Sequence, residues 1–410
     1  MVNKNIIQHG NADLKQIVIH WFPTDFCNYN CSYCIAHAPH VGKGIEFIKL
    51  QQLIDVVDKI FEIKKDKYVF VFSGGEPTLY PNFIELVEYI LENKNASVYL
   101  FSNGHKNIDF FSKLFSKNNF YLNFSIHLEY ANINHIKEII KCSNDYNKYN
   151  MFSLMMNPDL KDKYLQFYKD LYEYRKEYCF GLDLGLIHDN QNLDERYSDE
   201  DINWFYKANK EFEEIEKYNN YKGYIPDYFQ DYNTKYVFDD NESVYIRHRE
   251  ALIKYMKNFK NFYCVQGVNS ISINAQGNYK GTECSISPLI GNIYKENIDY
   301  FKLIKPIKCS LAGCDCRINN YAPKYINIDK AQKCVNNYID KILPVYYLYN
   351  QIYNLKNDLN KIIDTLAWWI PIKKWRDNFR NKFFDKFIGG GVNNGFKFLY
   401  PLNFRLDLNY

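Results

Sequence analysis

Residues 16–21 read QIVIHW, and residues 24–34, just beyond them, read TDFCNYNCSYC. The first is a β-rich apolar run of strand length. The second places Cys27, Cys31 and Cys34 with three and then two residues between them, directly after that strand. Parallel-sheet proteins keep their chemistry at the carboxyl ends of strands. Thiolates hold iron–sulfur clusters, and a cluster of four irons normally takes four of them. Three local cysteines therefore leave one iron open to an exogenous ligand. A zinc site that adds His37 or His40 to the three thiols is the alternative.

Outward from this stretch the strand pattern repeats. Five further runs, YVFVFS (68–73), SVYLFS (97–102), YLNFSIH (121–127), MFSLMM (151–156) and FGLDLGL (180–186), alternate with helical periodicity such as Phe83, Leu86, Val87, Ile90 and Leu91. Strands alternating with helices predict a parallel α/β sheet, and six such units predict a partial (β/α)6 TIM-like barrel over residues 14–187. Residues 188–262 lose that pattern and become acidic, aromatic and helical, which predicts an inserted helical layer over the substrate pocket. Residues 263–320 concentrate cysteine and glycine around SISINAQGNYKGTEC, a hairpin with Gly277-Asn278 in turn position.

The chain has 410 residues, 47% hydrophobic and 18% aromatic, with a formal net charge of +3. Disorder is excluded, and so is nucleic acid as a general partner. The N-terminal residues lack the apolar core of a signal peptide, and no stretch reaches the roughly 18 apolar residues of a membrane span. A cytoplasmic location is the expectation, and eleven cysteines in such a chain predict metal or chemical roles rather than disulfides.

The spacing of Cys27, Cys31 and Cys34, with the aromatic Tyr33 before the third, resembles the signature of the radical S-adenosylmethionine (SAM) superfamily. Ser73-Gly74-Gly75-Glu76-Pro77, after the second strand, is similar to that family's GGEP motif. Phe101-Ser102-Asn103-Gly104, after the third, resembles its threonine-asparagine-glycine element. Ser125 stands where related enzymes contact the SAM ribose or carboxylate, although Ser125-Ile126-His127-Leu128 departs from the usual serine-x-aspartate-glycine. The resemblance implies a [4Fe-4S] cluster whose open iron is chelated by SAM, one-electron cleavage of SAM to a 5'-deoxyadenosyl radical, and an external reductant such as flavodoxin or ferredoxin. His127, at a strand end, is a candidate proton donor or substrate ligand.

Downstream, Cys264, Cys284, Cys309, Cys314 and Cys316 fall within 53 residues. Their order resembles the twitch subdomain, a shortened SPASM extension, and implies one auxiliary [4Fe-4S] cluster on four of the five, with Cys309 as the favoured spare. A zinc ribbon is the alternative. Cys142, Cys179 and Cys334 read as buried apolar side chains. Residues 321–410 form a helical, aromatic and basic extension. In it, Val345, Leu348, Ile352, Leu355, Leu359, Ile362 and Leu366 make a short heptad seam for self-association, or for docking on the chain's own domain. Between Trp368 and Phe387 six Lys or Arg residues stand against two Asp, a net +4, along an aromatic helix face suited to a membrane surface or a partner. That tail resembles those of enzymes of surface-polysaccharide assembly, and with it the expected substrate is a carbohydrate made near the inner membrane. A peptide is the second substrate class, and a zinc-stapled scaffold without catalysis is the rival from another class.

Overall fold

A computed structural model describes residues 5–375 apart from 11–14, 42–45, 64, 189–192, 219–232, 248–257, 315, 317–320 and 369–374. The chain divides into two compact units, Met1–Asn337 and Tyr338–Tyr410. In the first, β1 (Ile6–His9) precedes a repeat of strands and helices: β2 (Gln16–Trp21), α1 (Leu50–Phe61), β3 (Lys67–Phe72), α2 (Phe83–Leu91), β4 (Ala96–Ser102), α3 (Ile108–Phe115), β5 (Phe120–Ile126), α4 (Ile133–Asp145), β6 (Met151–Met156), α5 (Lys161–Tyr174) and β7 (Gly181–Leu186). Strands β2 to β7 pair in parallel in that order. The six expected strands thus form within a residue of their expected ends, and the sheet and helices match the partial barrel.

A parallel strand covered on both faces reads as a continuous apolar run, and both faces are covered here. On one face Phe72 meets Phe83 of α2 edge-on at 5.3 Å and Phe61 of α1 meets Phe70 at 5.8 Å. In α1, Leu53, Val56, Val57 and Ile60 are buried at helical spacing. The alternate residues Val18, Val69, Val71, Tyr99 and Tyr121 form the opposite face, which joins one buried cluster with Phe259, Cys314 and Cys316. The cysteine-rich segment therefore packs into the same core as the parallel sheet, and each fully buried aliphatic or aromatic side chain there contributes about 1.5–3 kcal/mol.

That segment also extends the sheet. It supplies β10 (Tyr263–Gln266), β11 (Ser270–Ile273), β12 (Asn278–Lys280) and β13 (Gly291–Asn292), and β11 pairs in parallel with β2, setting Ser272 beside His20. Strands β12 and β13 continue antiparallel, completing nine strands. The hairpin forms as expected, with Gly277 at φ +81°, but Asn278 begins β12 and the turn lies before it. Residues 188–262 differ from the all-helical expectation. After α6 (Asp199–Tyr218) come β8 (Asn233–Phe238) and β9 (Ser243–Arg247), an antiparallel hairpin. Its Thr, Val, Tyr and Ile residues favour strands, and Asn241 takes φ +66° in its turn. With β1, β10, β14 (Lys305–Lys308) and β15 (Lys324–Tyr325) it makes a second sheet, in the order β14-β10-β15-β1-β8-β9.

A helix runs from Ile328 to Trp368. Of the heptad seam, Leu355, Leu359, Ile362 and Leu366 are exposed, and the side chains of Val345, Leu348 and Ile352 lie outside the described residues. The basic aromatic face lies outside them too, apart from the exposed Trp375. Among the described residues no helix is long and apolar enough to cross a membrane.

Candidate active site at the carboxyl ends of the parallel strands

Beyond β2 the chain closes a loop on itself, with the Cys27 amide donating to Pro39 O at 3.0 Å and the Val41 amide to Cys27 O at 2.9 Å. Within it Cys34 N donates to Cys31 O at 3.1 Å. The segment after β5 clamps this loop. Tyr33 OH and His127 Nδ1 are 2.9 Å apart, Ser32 Oγ donates to Glu129 at 2.5 Å, and the Asn30 amide donates to Tyr130 OH at 3.1 Å. Tyr29 stacks on Tyr130 at 4.4 Å. His127 thus orients the aromatic residue before Cys34, a contact that spacing along the chain does not reveal.

The turn after β3 holds the loop from the other side. Gly75 N donates to Thr24 O at 3.3 Å and Glu76 N to Phe26 O at 2.7 Å. A Cβ on Gly75 would fall 2.1 Å from Phe26 O, and Gly74 takes φ +120°, where only glycine is unstrained. The close approach that these glycines permit is that of the cysteine loop itself. The Glu76 carboxylate is buried and accepts from Thr78 N (3.0 Å), Thr78 Oγ1 (2.6 Å), Ser102 Oγ (2.8 Å) and Asn103 N (2.7 Å). It joins the turns after β3 and β4, while Pro77 opens the short helical turn that Glu76 caps. Asn103 Nδ2 in turn donates to Asn28 Oδ1 at 2.9 Å and lies 3.8 Å from Cys27 Sγ. Ser73 Oγ meets His20 Nε2 at 2.5 Å, and the other ring nitrogen of His20 pairs with Glu283.

Burial pushes the Cys27 thiol up, and pushes Cys31 up to about 12 with help from the Glu129 carboxylate. Cys27 and Cys34 each disfavour charge on Cys31, so the three thiols sit close enough to repel as thiolates. A positively charged iron body among them reverses that sign, and with Asn103 beside Cys27 the donors fit a cluster with one open iron. His37 and His40 are exposed, and His40 Nδ1 lies 3.0 Å from Val41 O. Among the described residues no three His, Cys, Asp or Glu side chains converge on a single ion. Burial holds His127 neutral, with its pKa lowered to about 4 despite the Glu129 charge. The ring lines a cavity of about 50 Å³ with Tyr29, Asn103, Asn132 and His135. Ser125, partly exposed, faces Ser153 across the β5–β6 register, and Ser153 Oγ donates to Asn123 Oδ1 at 3.0 Å. Neither Asn123 nor Ser153 belongs to a recognisable motif, although strand alternation places Asn123 on the face that carries Ser125 and His127, and Ser153 lies beside Ser125 in register.

The late cysteines also gather. The Cys264 thiol, pushed up to about 12 by burial, feels Cys314, Cys284 and Cys309, while Cys316 feels Glu283, Cys314 and Cys284. Burial pushes the Cys309 thiol up as well, and Cys314 and Cys284 both act on it. Cys142 and Cys334 are buried and Cys179 partly so.

The parallel sheet, the three-thiol loop and the turns that grip it define an α/β domain that presents three cysteines at the carboxyl ends of its strands. Residues 21–196 match the family model of the radical SAM superfamily. Two curated relatives are, by their names, enzymes. The chain is 29% identical over 168 residues to a cysteine-type anaerobic sulfatase-maturating enzyme of Clostridium novyi, covering 35% of this chain and 45% of that protein. It is 33% identical over 86 residues to a GTP 3',8-cyclase of Pasteurella multocida, covering 20% and 25%. The chain thus spans under half the length of these curated relatives. Among solved structures it resembles native anSMEcpe with bound AdoMet at a TM-score of 0.45 and 14% identity, over 83% of this chain and 100% of that one.

Proposed function

We propose that this enzyme cleaves SAM reductively at a [4Fe-4S] cluster held by Cys27, Cys31 and Cys34, then removes hydrogen from a carbon of a peptide side chain. The observation that carries the first part is the gripping of one three-cysteine loop by the turns after β3, β4 and β5 at the carboxyl ends of parallel strands. The cluster and SAM, when bound, supply one-electron cleavage to a 5'-deoxyadenosyl radical. The chain's own residues position that chemistry. Gly75 and Glu76 fix the backbone beside Phe26, Asn103 lies against Cys27, and His127 fixes Tyr33. Backbone groups of Ser73 to Pro77, together with Ser102, Asn103 and Ser125, would border SAM. Four of Cys264, Cys284, Cys309, Cys314 and Cys316 would hold an auxiliary cluster, to which their mutual proximity is suited.

A peptide rather than a sugar is the substrate because a relative matched over 168 residues is, by its name, a sulfatase-maturating enzyme. The polysaccharide reading rests on a tail outside the described residues. The direct test is iron and sulfide content after anaerobic reconstitution, alongside 5'-deoxyadenosine formation from SAM with a one-electron reductant. About eight irons, falling to about four in a Cys27/Cys31/Cys34 triple alanine variant that makes no 5'-deoxyadenosine, is the expected result. Zinc without sulfide would overturn the reading in favour of a scaffold.

A further inference from the structure

His20 is buried on β2, with 2% of its surface exposed, and the chemistry described so far does not use it. It projects to the same face of the sheet as Val18, two residues before it, and lies beside Val71 of β3 and Ser272 of β11 in register. One ring nitrogen, Nε2, is 2.5 Å from Ser73 Oγ, and the other, Nδ1, pairs with the Glu283 carboxylate. His20 therefore stands between the turn after β3, which grips the first cysteine loop, and the residue that precedes Cys284. An ionised carboxylate can only accept, so Nδ1 carries a hydrogen. In the neutral ring Nε2 is then the acceptor, and Ser73 donates its hydroxyl hydrogen to it. Toward any other neighbour a hydroxyl so held can only accept. The Ser73 backbone is fixed separately, its amide donating to Trp21 O at 3.2 Å, so the direction of the hydroxyl is what His20 sets.

We infer that His20 is a positioning residue for SAM binding: with its ring oriented by Glu283, it fixes the Ser73 hydroxyl as a hydrogen-bond acceptor at the edge of the SAM site. The inference rests on the SAM reading above and adds a residue outside the motifs that reading uses. Packing alone is met on this face by apolar side chains such as Val18 and Val71. A ring with a polar partner on each nitrogen gives direction as well. The methionine part of SAM carries an ammonium, a group that donates and cannot accept. A hydroxyl held as an acceptor suits it, whereas a freely turning one presents its own hydrogen part of the time. His20 touches neither SAM nor a cluster ligand in this assignment and acts through Ser73.

The test is SAM affinity, measured by equilibrium dialysis of labelled SAM against the full-length, anaerobically reconstituted chain, with iron counted first on every variant. His20→Asn keeps an amide near Glu283 but is too short for Ser73, while His20→Gln presents a donor and an acceptor flanking one carbon, as imidazole does. His20→Asn is expected to bind SAM about threefold to tenfold more weakly, the worth of one hydrogen bond, and His20→Gln to stay near the parent. Ser73→Ala should weaken binding by a similar factor, and His20→Asn should add nothing further on that background. Unchanged affinity in His20→Asn overturns the inference, as do penalties that multiply in the double variant. Where His20→Asn fails to hold iron, His20→Phe, which keeps a ring of similar volume, takes its place in the same cycle; failure of both makes His20 a purely structural residue and overturns the inference. A parent that holds iron but binds no SAM refutes the SAM reading itself, and this is seen before any variant is compared.

Discussion

Cys27, Cys31 and Cys34 lie within eight residues of one another on a single loop, and all three are partly exposed. Cys264, Cys309, Cys314 and Cys316 are buried, with Cys284 partly so, and they are drawn together from 53 residues of chain. The first group owes its proximity to short covalent spacing, and the rest of the domain needs only to clamp the loop. The second owes its proximity to strand pairing: β10 with β14 and β15, and β11 with β2. One site is written in local sequence and finished by contacts. The other exists only once the sheets exist.

The contrast breaks most sharply at Gly75. If the first loop needs the turn after β3, Gly75→Ala should cost it most, because the new Cβ meets a backbone oxygen that cannot swing aside. The expected result is loss of about half the bound iron with the late-cysteine share retained, and destabilisation of about 1–3 kcal/mol from overpacking. Metal analysis beside a thermal melt checks both. Retention of all the iron would mean that covalent spacing alone forms the first site.

A pH titration of the metal-free protein sharpens the same point at His127. Its folded-state pKa of about 4 lies below the roughly 6.5 of an unfolded imidazole. Above pH 6.5 both states are neutral and the stability is complete. As pH falls below 6.5 the unfolded chain takes up a proton that the folded site refuses, so stability drops progressively to about pH 4. The loss is at most about 3 kcal/mol, and His127→Gln should flatten it in urea melts run across that range.

Glu76→Gln probes the join between the two turns. The amide oxygen can still accept from Thr78 and Ser102, but the amide nitrogen then faces the Asn103 N–H donor to donor. A loss of about 1–2 kcal/mol is expected, measurable by denaturant unfolding of the metal-free protein, together with weaker iron retention at the first loop only.

How much of this was legible beforehand follows the same division. The six parallel strands and the Cys27–Cys34 loop were readable because each is local, a run of β-formers or a fixed spacing. The β8–β9 hairpin was missed because its Asp, Asn and Glu turn lies in an acidic stretch that reads as helical. The pairing of β11 with β2 joins residues some 250 positions apart, and no periodicity reports it. For the same reason Glu76 could be recognised as an acceptor but not its partners, and His20 between Ser73 and Glu283 could not be seen at all.

The smallest effects fall on the thiols themselves when metal is absent, and they measure the contrast directly. Cys34→Ala removes a partly exposed side chain from a loop whose hydrogen bonds run through backbone and neighbouring residues, so stability should change by no more than about 0.5 kcal/mol. Cys264→Ala empties a buried position on a paired strand and should cost about 1–2 kcal/mol from lost burial and the space left behind. Urea unfolding of the two metal-free variants compares them. Equal losses would mean that the late thiols contribute nothing to the core they occupy, and that their burial serves the metal alone.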